Sequence, residues 1–159
     1  MDGVHTMGDE ALEVVVRDNS LIVVNDECGQ YSSGQTLSIV EALWLIYTRH
    51  RKIIYNNRIL EMEDLLKIAG SEFVWITFTV YNDLKNRGKR IEVLGNNLLS
   101  INMGTRVVDI YVLEENNLVS LSRLIEMIEI SNRRGRDVVF ALVDKHGDVT
   151  YYSTSPITL

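Results

Sequence analysis

The fold is decided by residues 120–153, SLSRLIEMIEISNRRGRDVVFALVDKHGDVTYYS. The first part of this stretch, Ser120 to Ile130, predicts an amphipathic helix. Four apolar residues at i, i+3, i+4, i+7 spacing are expected on one buried face, and they are Leu121, Leu124, Ile125 and Ile128. Ser120 or Ser122 can cap the start of the helix, and positive charge followed by Gly135 is typical of its end.

Two strands are predicted after this helix. The apolar run from Arg136 to Val143 is rich in β-branched residues, which favours a central strand covered on both faces. Asp144 to Asp148 predicts a turn, because Gly147 can adopt positive φ. Val149 to Ser153 is then the predicted return strand.

Length and charge limit what the chain can be. With 159 residues it can form one ordinary domain or two small ones, and 46% hydrophobic residues are normal for a folded protein. The formal net charge is −6. An autonomous nucleic-acid binder usually carries a basic excess, since neutralising phosphates supplies much of its affinity. If this chain acts on RNA, we expect another subunit to supply most of the cations.

Other features exclude several classes of site. No apolar run reaches membrane-spanning length, and the first residues lack a basic region followed by an apolar core, so neither a signal peptide nor an anchor is expected. The single cysteine, Cys28, excludes an internal disulfide and fits a cytoplasmic location. His5, His50 and His146 have no second ligand at metal spacing, so we predict no metal and no cofactor.

The N-terminal part of the chain predicts a small α/β lobe. A polar turn at residues 17–20 separates two strands, residues 11–16 and 21–24. A helix is expected to begin within residues 36–41, with Ser38 as N-cap and Glu41 completing a capping box. A short strand, Lys52 to Tyr55, and a helix, Met62 to Ala69, come next.

The C-terminal part begins with a helix of ambiguous propensity. Residues 73–87 are rich in β-branched and aromatic residues, which alone would allow a strand. Helical spacing of Phe73, Ile76, Val80 and Leu84, a Ser71 cap and Gly88 at the end favour a helix. Strands are expected at residues 90–94 and 107–113, with strand and loop between them and an acidic loop after them. The fold class is therefore α/β (mixed α+β), with domains 1–70 and 71–159 joined near Gly70.

Three segments together resemble the archaeal tRNA-splicing endonuclease family. Residues 37–45, LSIVEALWL, are similar to the family's L-S-x-x-E-A-L-Y-L, and residues 80–88, VYNDLKNRG, to its V-Y-x-D-L-R-x-R-G. Residues 138–152 are similar to its strand–turn–strand segment ending in D-V-T-Y-Y. The resemblance covers most of the chain and implies a small N-terminal lobe followed by a restriction-endonuclease-like lobe, in which a mixed sheet is flanked by helices.

Members of that family that cleave RNA use a tyrosine, a histidine and a lysine without metal. The reaction needs a base for the ribose 2′-hydroxyl, an acid for the leaving 5′-oxygen and a fixed cation for the phosphoryl oxygens. The resemblance places the tyrosine in residues 96–102, the histidine in residues 103–106 and the lysine just before Val138. The first two stretches hold neither residue type, and Arg136 stands at the lysine position. We therefore expect no catalytic residue in this chain.

The family also implies a role for a chain without the triad. In crenarchaeal-type (αβ)2 heterotetramers one subunit is catalytic and the other is structural, and this chain resembles the second. The expected partner is a catalytic tRNA-splicing endonuclease subunit, with precursor tRNA bound through the complex. The resemblance implies interface residues in an acidic loop (Glu114, Glu115, Asn116) and in a pairing strand (Val149, Thr150, Tyr151, Tyr152, Ser153, then Thr154, Pro156 and Ile157).

Some alternatives stay open at the level of sequence. Arg133, Arg134 and Arg136 are candidate RNA contacts, whereas the cations between Lys85 and Arg90 fit a helix end as well as a phosphate contact. The chain could be an active endonuclease with a rearranged site, in which Arg136 and either Tyr111 or Tyr151 substitute. It could also be a protein-interaction module that kept the fold.

Overall fold

A computed structural model describes residues 11–154. The strands are β1 (Ala11–Arg17), β2 (Ser20–Asp26), β3 (Thr36–Leu37), β4 (Lys52–Tyr55), β5 (Arg58–Ile59), β6 (Ile91–Gly95), β7 (Leu98–Asn102), β8 (Val107–Glu114), β9 (Asp137–Val143) and β10 (Val149–Thr154). The helices are α1 (Ile39–Tyr47), α2 (Met62–Ala69), α3 (Phe73–Asn86) and α4 (Leu121–Arg133). The predicted N-terminal tail with His5, and the predicted interface residues Pro156 and Ile157, lie outside the described residues.

The strands form two mixed five-stranded sheets, with orders β3-β2-β1-β4-β5 and β10-β9-β8-β7-β6. This arrangement confirms the predicted mixed α/β class. The chain divides into two compact units, one ending at Phe78 and the other beginning at Thr79, inside α3. The boundary expected after Gly70 lies earlier in the chain, and the assignment of residues 1–70 and 71–159 to separate domains stays a prediction.

In the N-terminal unit the predicted hairpin is confirmed. β1 pairs antiparallel with β2 and parallel with β4. Alternate residues of the hairpin are buried, as the period of a strand requires, and they are Leu12, Val14, Leu21 and Val23. The predicted helix start at residues 36–41 is wrong in its first two residues, because Thr36 and Leu37 pair with β2 as the short strand β3.

Ser38 caps α1 as predicted. Its Oγ accepts a hydrogen bond from the backbone N–H of Glu41 at 3.1 Å. The carboxylate of Glu41 accepts a hydrogen bond from the hydroxyl of Tyr31. These two contacts fix the start of α1 against the loop that follows β2.

The loop after β2 is held by a buried ion pair. Arg51 Nη2 lies 2.5 Å from Asp26 Oδ1, and the two side chains are only 6% and 1% exposed. The Asp26 carboxylate also accepts the backbone N–H groups of Cys28 and Tyr31, at 3.0 and 2.8 Å. Burial raises the pKa of Asp26, but the hydrogen bonds from Arg51 and the two backbone groups outweigh it and hold that pKa below its usual value.

The C-terminal unit is built around a parallel pair of strands. β6, β7 and β8 are successive antiparallel neighbours, β8 runs parallel to β9, and β9 turns back into β10. α4 is the crossover between the two parallel strands, and a connection of this type needs such a helix. A cluster of Met127, Val138 and Phe140 is buried between α4 and the sheet.

The predicted buried face of α4 is half wrong. Leu124 and Ile128 pack against the cluster of Met127, Val138 and Phe140, as expected. Leu121 and Ile125 are instead 73% and 46% exposed. The spacing of apolar residues shows which side of a helix is apolar. On α4 this apolar side is wider than the side that the sheet covers, so its outer residues stay exposed. Of the two candidate caps, Ser120 is the N-cap and accepts the N–H of Arg123 at 3.2 Å.

Replacing Asp26 tests the buried ion pair. Asp26→Asn leaves Arg51 buried without a counter-charge, so we expect the free energy of unfolding at pH 7 to fall by about 3–5 kcal/mol in urea denaturation. Arg58→Gln is the control, since Arg58 pairs with Asp64 through a side chain that is 69% exposed, and it should cost less than about 1 kcal/mol. Equal small effects of both substitutions would contradict the role of Asp26.

The pH dependence provides a second readout of the same pair. The folded pKa of Asp26 is depressed. Its contribution should therefore be fully present above the unfolded value of about 3.9 and be lost as the pH falls through the folded value. In Asp26→Asn this part of the acid dependence should be missing.

Candidate functional site

One pocket of the C-terminal unit collects the stretches to which the resemblance assigns the triad. It has a volume of about 260 Å³ and is lined by Arg90, Ile91, Glu92, Ser100, Asn102, Val107 and Arg136. Ser100 and Asn102 belong to the stretch in which the tyrosine was expected. Val107 directly follows the stretch expected to hold the histidine, and Arg136 is at the lysine position.

Strand register explains why these residues meet. Glu92 on β6 pairs with Ser100 on β7, and Ser100 pairs with Asp109 on β8. Directly paired residues of neighbouring strands project to the same face of a sheet. The three residues therefore form a polar row across the sheet, and the same register sets Asn102 opposite Val107.

One end of this row is a buried carboxylate. The Asp109 side chain is only 5% exposed, and Arg136 Nη1 lies 3.0 Å from its Oδ1. Ser131, on α4, donates a hydrogen bond to Asp109 Oδ2 at 2.7 Å. A buried carboxylate is stable only when it is paired and hydrogen-bonded. Arg136 therefore serves as the counter-ion of Asp109, and its 34% exposed side chain also lines the pocket.

Two further arginines of the C-terminal unit also have acidic neighbours. Arg106 is 2.8 Å from Asp137, and Arg133 is 3.9 Å from Glu129. These pairs reduce the positive potential that the described residues offer to a phosphate.

Of the three arginines expected to touch RNA, one belongs to the described lining of the pocket. Arg136 lines the pocket, whereas Arg133 ends α4 and Arg134 is its C-cap. The side chains of Arg133 and Arg134 are exposed. Contact of any of them with RNA stays a prediction.

The two tyrosines considered as substitutes in a rearranged active site have other contacts. Tyr151 donates a hydrogen bond to Asp83 Oδ2 at 2.6 Å, and Arg87 lies 3.0 Å from the same oxygen and over the Tyr151 ring. Burial and then the Asp83 carboxylate raise the pKa of Tyr151 well above its usual value. A phenol that stays protonated and donates to a carboxylate is not a base at neutral pH.

Tyr111 is engaged elsewhere as well. Its ring centroid lies 6.1 Å from that of Phe140, and its hydroxyl lies 3.3 Å from Ser131 Oγ. The described lining of the pocket includes neither Tyr111 nor Tyr151. An active site rearranged around either tyrosine therefore has no support in this geometry.

The predicted interface residues lie on two separate features. Glu115 and Asn116 are exposed in the loop after β8. Glu114 is not a loop residue as predicted, because it pairs with Val143 as the last residue of β8, and it is half-buried. Glu114 accepts a hydrogen bond from Asn117 Nδ2 at 3.1 Å, and Glu115 accepts the backbone N–H of Lys145 at 3.3 Å.

The second feature is β10, which is the edge strand of its sheet. Tyr152 on this strand is 53% exposed.

Within residues 11–154, no group of three or more histidine, cysteine, aspartate or glutamate side chains could hold a metal ion. No helix in that same range is long and apolar enough to cross a membrane.

Curated relatives of the chain carry one name. The tRNA-splicing endonuclease of Pyrococcus horikoshii is 30% identical over 123 residues, which is 73% of this chain and 72% of the relative. The chain belongs to the tRNA-splicing endonuclease family. The Pyrococcus abyssi enzyme of that name is 28% identical over the same shares, and that of Methanococcoides burtonii is 26% identical over 76% of this chain and 37% of the relative. No protein-family model matches the chain.

Two of the segments that resemble tRNA-splicing endonucleases meet in the structure. Asp83 and Arg87 belong to the segment 80–88, and Tyr151 belongs to the segment 138–152. Their contacts attach the edge strand β10 to α3 within the C-terminal unit. Sequence reasoning missed this cluster, because strand alternation places Tyr151 and Tyr152 on opposite faces but does not say which of the two faces α3.

Replacing Arg136 tests its role as counter-ion. Arg136→Ala leaves the buried Asp109 carboxylate with Ser131 as its described side-chain donor, so we expect the free energy of unfolding to fall by about 2–3 kcal/mol. Arg134→Ala removes the same charge from an exposed helix end and should change it by less than about 0.5 kcal/mol. Urea denaturation of both variants measures the difference, and equal values would rule out the counter-ion role.

Proposed function

We propose that this chain is the structural, non-catalytic subunit of a tRNA-splicing endonuclease. One observation carries the proposal: residues 96–106, where the resemblance places a tyrosine and a histidine, contain neither. A catalytic relative would supply the active site, and the two subunits would form an (αβ)2 tetramer. That complex would remove introns from precursor tRNA at bulge-helix-bulge sites, leaving 2′,3′-cyclic phosphate and 5′-hydroxyl ends.

The chemistry of the pocket supports an inactive site. Transfer of the 2′-hydroxyl proton needs a base, and departure of the 5′-oxygen needs an acid. The polar lining of the pocket consists of one carboxylate, Glu92, the neutral side chains of Ser100 and Asn102, and two guanidinium groups, Arg90 and Arg136, which stay protonated. A Ser or Asn side chain does not take up a proton at neutral pH. Cleavage by general acid and base would thus lack at least one partner here.

The cation at the lysine position is also compromised. A fixed cation stabilises a phosphoryl transition state best when its charge is not already offset by a nearby anion. Arg136 is 3.0 Å from the Asp109 carboxylate. This pair stabilises the fold of the C-terminal unit, and it leaves Arg136 a weaker electrostatic catalyst than an unpaired lysine would be.

Two features of the chain fit assembly with a partner. The exposed carboxylate of Glu115 and the half-buried one of Glu114 could enter a basic cleft of another subunit. The edge strand β10 presents backbone groups that could extend the sheet of a second chain. Cytoplasmic tRNA processing by the assembled complex follows from this proposal and shares its tests.

Reconstitution tests the proposed subunit role. The chain alone should not cleave a precursor tRNA that carries a bulge-helix-bulge, because the acid and the base are missing. Mixed with a homologue from the same genome that retains tyrosine, histidine and lysine at the three positions, it should restore cleavage in the presence of EDTA. The homologue alone is the control and should cleave at least about tenfold more slowly, since half of each interface is missing.

The assay also has an outcome that would end the proposal. Robust cleavage by the purified chain would assign catalysis to this chain, provided that the activity is retained after repeated chromatography. Retention would show that the activity does not come from a contaminating partner. Failure of the mixture to form a complex would reject the structural role.

Charge reversal tests the acidic loop. Glu114→Lys with Glu115→Lys should convert the (αβ)2 tetramer to αβ dimers, because the cations of the partner's cleft would then face cations. Light scattering of the reconstituted complex measures the change. Glu13→Lys with Glu63→Lys alters the net charge equally at exposed sites of the N-terminal unit and should leave a tetramer. A tetramer in both variants would show that the loop is not the contact.

A further inference from the structure

The pocket of the C-terminal unit is lined by two charged groups that have no ion-pair partner within residues 11–154. Arg90 and Glu92 are both exposed in the lining, and neither forms a salt bridge with another described residue. Arg136, the other cation of the lining, is paired with the buried Asp109 carboxylate. The pocket therefore offers a ligand one unpaired cation and one unpaired carboxylate.

Strand register sets the spacing of the other polar groups. Glu92 on β6 pairs with Ser100 on β7, and Asn102 lies two residues further along the same face of β7. Ser100 is only 6% exposed, so it forms the floor of the pocket between the exposed residues Glu92 and Asn102. Diagonal neighbours in an antiparallel pair are about 7–8 Å apart. Glu92 and Asn102 therefore leave space between them for a small ligand.

The Asn102 amide has one contact, and this contact determines what the side chain offers the pocket. Its Oδ1 accepts the backbone N–H of Gly104 at 2.9 Å. The Nδ2 group carries two N–H donors, for which the described part of the chain provides no acceptor. An ionised Glu92 carboxylate, by contrast, is an acceptor only. The pocket thus presents a hydrogen-bond donor at Asn102 and two acceptor oxygens at Glu92.

This arrangement selects among classes of ligand. A cationic ligand would be repelled by Arg90 and Arg136. Inorganic phosphate would meet the Glu92 carboxylate, and the charge of Arg136 is already offset by Asp109. Five of the seven lining residues are polar, so an apolar ligand would leave them without partners. A matching ligand carries adjacent N–H donors for Glu92 and an acceptor for Asn102.

Guanine is the nucleobase whose Watson–Crick edge has this order of groups. Its O6 is an acceptor, and N1–H and the N2 amino group next to it are donors. A carboxylate can accept two parallel N–H groups at once, and such charge-assisted pairs are strong and specific. Adenine, cytosine and uracil each have one donor group on that edge, so none of them can occupy both carboxylate oxygens in this way.

The size and the remaining lining of the pocket fit one nucleotide. Its volume of about 260 Å³ is close to the lower limit of roughly 300 Å³ for small-molecule sites. Ile91 and Val107 supply aliphatic contacts for the plane of a base. The unpaired guanidinium of Arg90 is available to a phosphate that is attached to the base through its ribose.

We infer that the pocket binds one unpaired guanosine nucleotide and does not cleave it. Glu92 accepts N1–H and the N2 amino group, Asn102 donates to O6, and Arg90 contacts the phosphate. A free guanine nucleotide and an unpaired guanosine of an RNA strand present the same edge. That the strand is a precursor tRNA rests on the proposed function, whereas recognition of guanine rests on the pocket alone.

Titration of the purified chain with guanosine monophosphate tests the ligand. We expect guanosine monophosphate to bind at least about tenfold more tightly than adenosine monophosphate, because a bidentate pair discriminates between bases by about this factor. Inorganic phosphate should bind more weakly than either nucleotide. Calorimetry or NMR titration measures the three affinities. Equal affinity for the two nucleotides, or for guanosine monophosphate and inorganic phosphate, would overturn the inference.

Two substitutions in the pocket test the assigned contacts. Glu92→Gln keeps the size of the side chain but replaces one acceptor oxygen by an N–H donor. It should raise the dissociation constant of guanosine monophosphate at least about tenfold and leave that of adenosine monophosphate nearly unchanged. Asn102→Asp keeps an acceptor for the N–H of Gly104. It places a carboxylate oxygen against O6, so it should also weaken guanosine binding.

Glu13→Gln is the matched control for Glu92→Gln. Glu13 is an exposed glutamate of a strand, as Glu92 is, but it belongs to β1 of the N-terminal unit. The control should bind guanosine monophosphate as the wild type does. Wild-type affinity in both pocket variants would overturn the inference, and so would equal weakening by Glu13→Gln.

A short oligouridine with one central guanosine identifies the source of the nucleotide. Its binding by fluorescence anisotropy is compared with that of the same strand without guanosine. Guanosine-dependent binding that Glu92→Gln weakens supports an RNA strand as the source. Selective binding of guanosine monophosphate without guanosine-dependent binding of the strand supports a free nucleotide.

These measurements use the chain alone, so they are independent of the reconstituted cleavage assay. If the mixture with the homologue cleaves precursor tRNA but the chain shows no preference for guanosine, the inferred ligand is wrong and the subunit role stands. If the chain prefers guanosine but the mixture forms no complex, the subunit role is wrong and the inferred ligand stands.

Discussion

A carboxylate buried in the middle of an apolar strand constrains the whole C-terminal unit. Asp109 must be hydrogen-bonded and paired, because an isolated buried charge would cost several kcal/mol. Its two partners come from the chain between β8 and β9. Ser131 belongs to the crossover helix α4, and Arg136 is the residue just before β9. The pair therefore connects strand, helix and next strand at one point, and its cation, Arg136, stands at the position where the resemblance leads us to expect a lysine.

Most elements of the fold could be read from periodicity, capping residues and glycines. The helix at residues 73–86 shows the reason, since four apolar residues at helical spacing outweighed a β-branched composition. Strands of two residues, such as β3 and β5, are too short to show the alternation of apolar and polar residues by which a strand is predicted. The contacts of the candidate site were not predictable in this way, because Asp109 and Arg136 are 27 residues apart. The sequence contains only a weaker indication of these contacts. Asp109 stands inside the apolar run 107–113, and a buried carboxylate requires a hydrogen-bonding or charged partner.

The error on α4 has a physical origin that no local pattern shows. Helical spacing assigns Leu121, Leu124, Ile125 and Ile128 to one apolar arc, and that assignment holds. How much of the arc is buried depends on the width of the sheet beneath it, which no local pattern encodes. Where the apolar arc of a helix exceeds its internal support, the remainder is exposed at a cost in free energy unless a second protein covers it. The mismatch between pattern and burial thus shows how much of α4 the sheet covers.

The length of β8 and β9 separates the pocket from the acidic loop. Both strands run from the pocket, near Val107 and Arg136, to the acidic loop and the turn at Asp144. β8 has eight residues, so at about 3.3 Å per residue the two ends lie roughly 25 Å apart. That distance is about three Debye lengths at physiological ionic strength, so charges at one end are largely screened from the other. A substitution that changes the charge of the pocket is therefore expected to have little electrostatic effect on the loop and turn at the far end of the sheet.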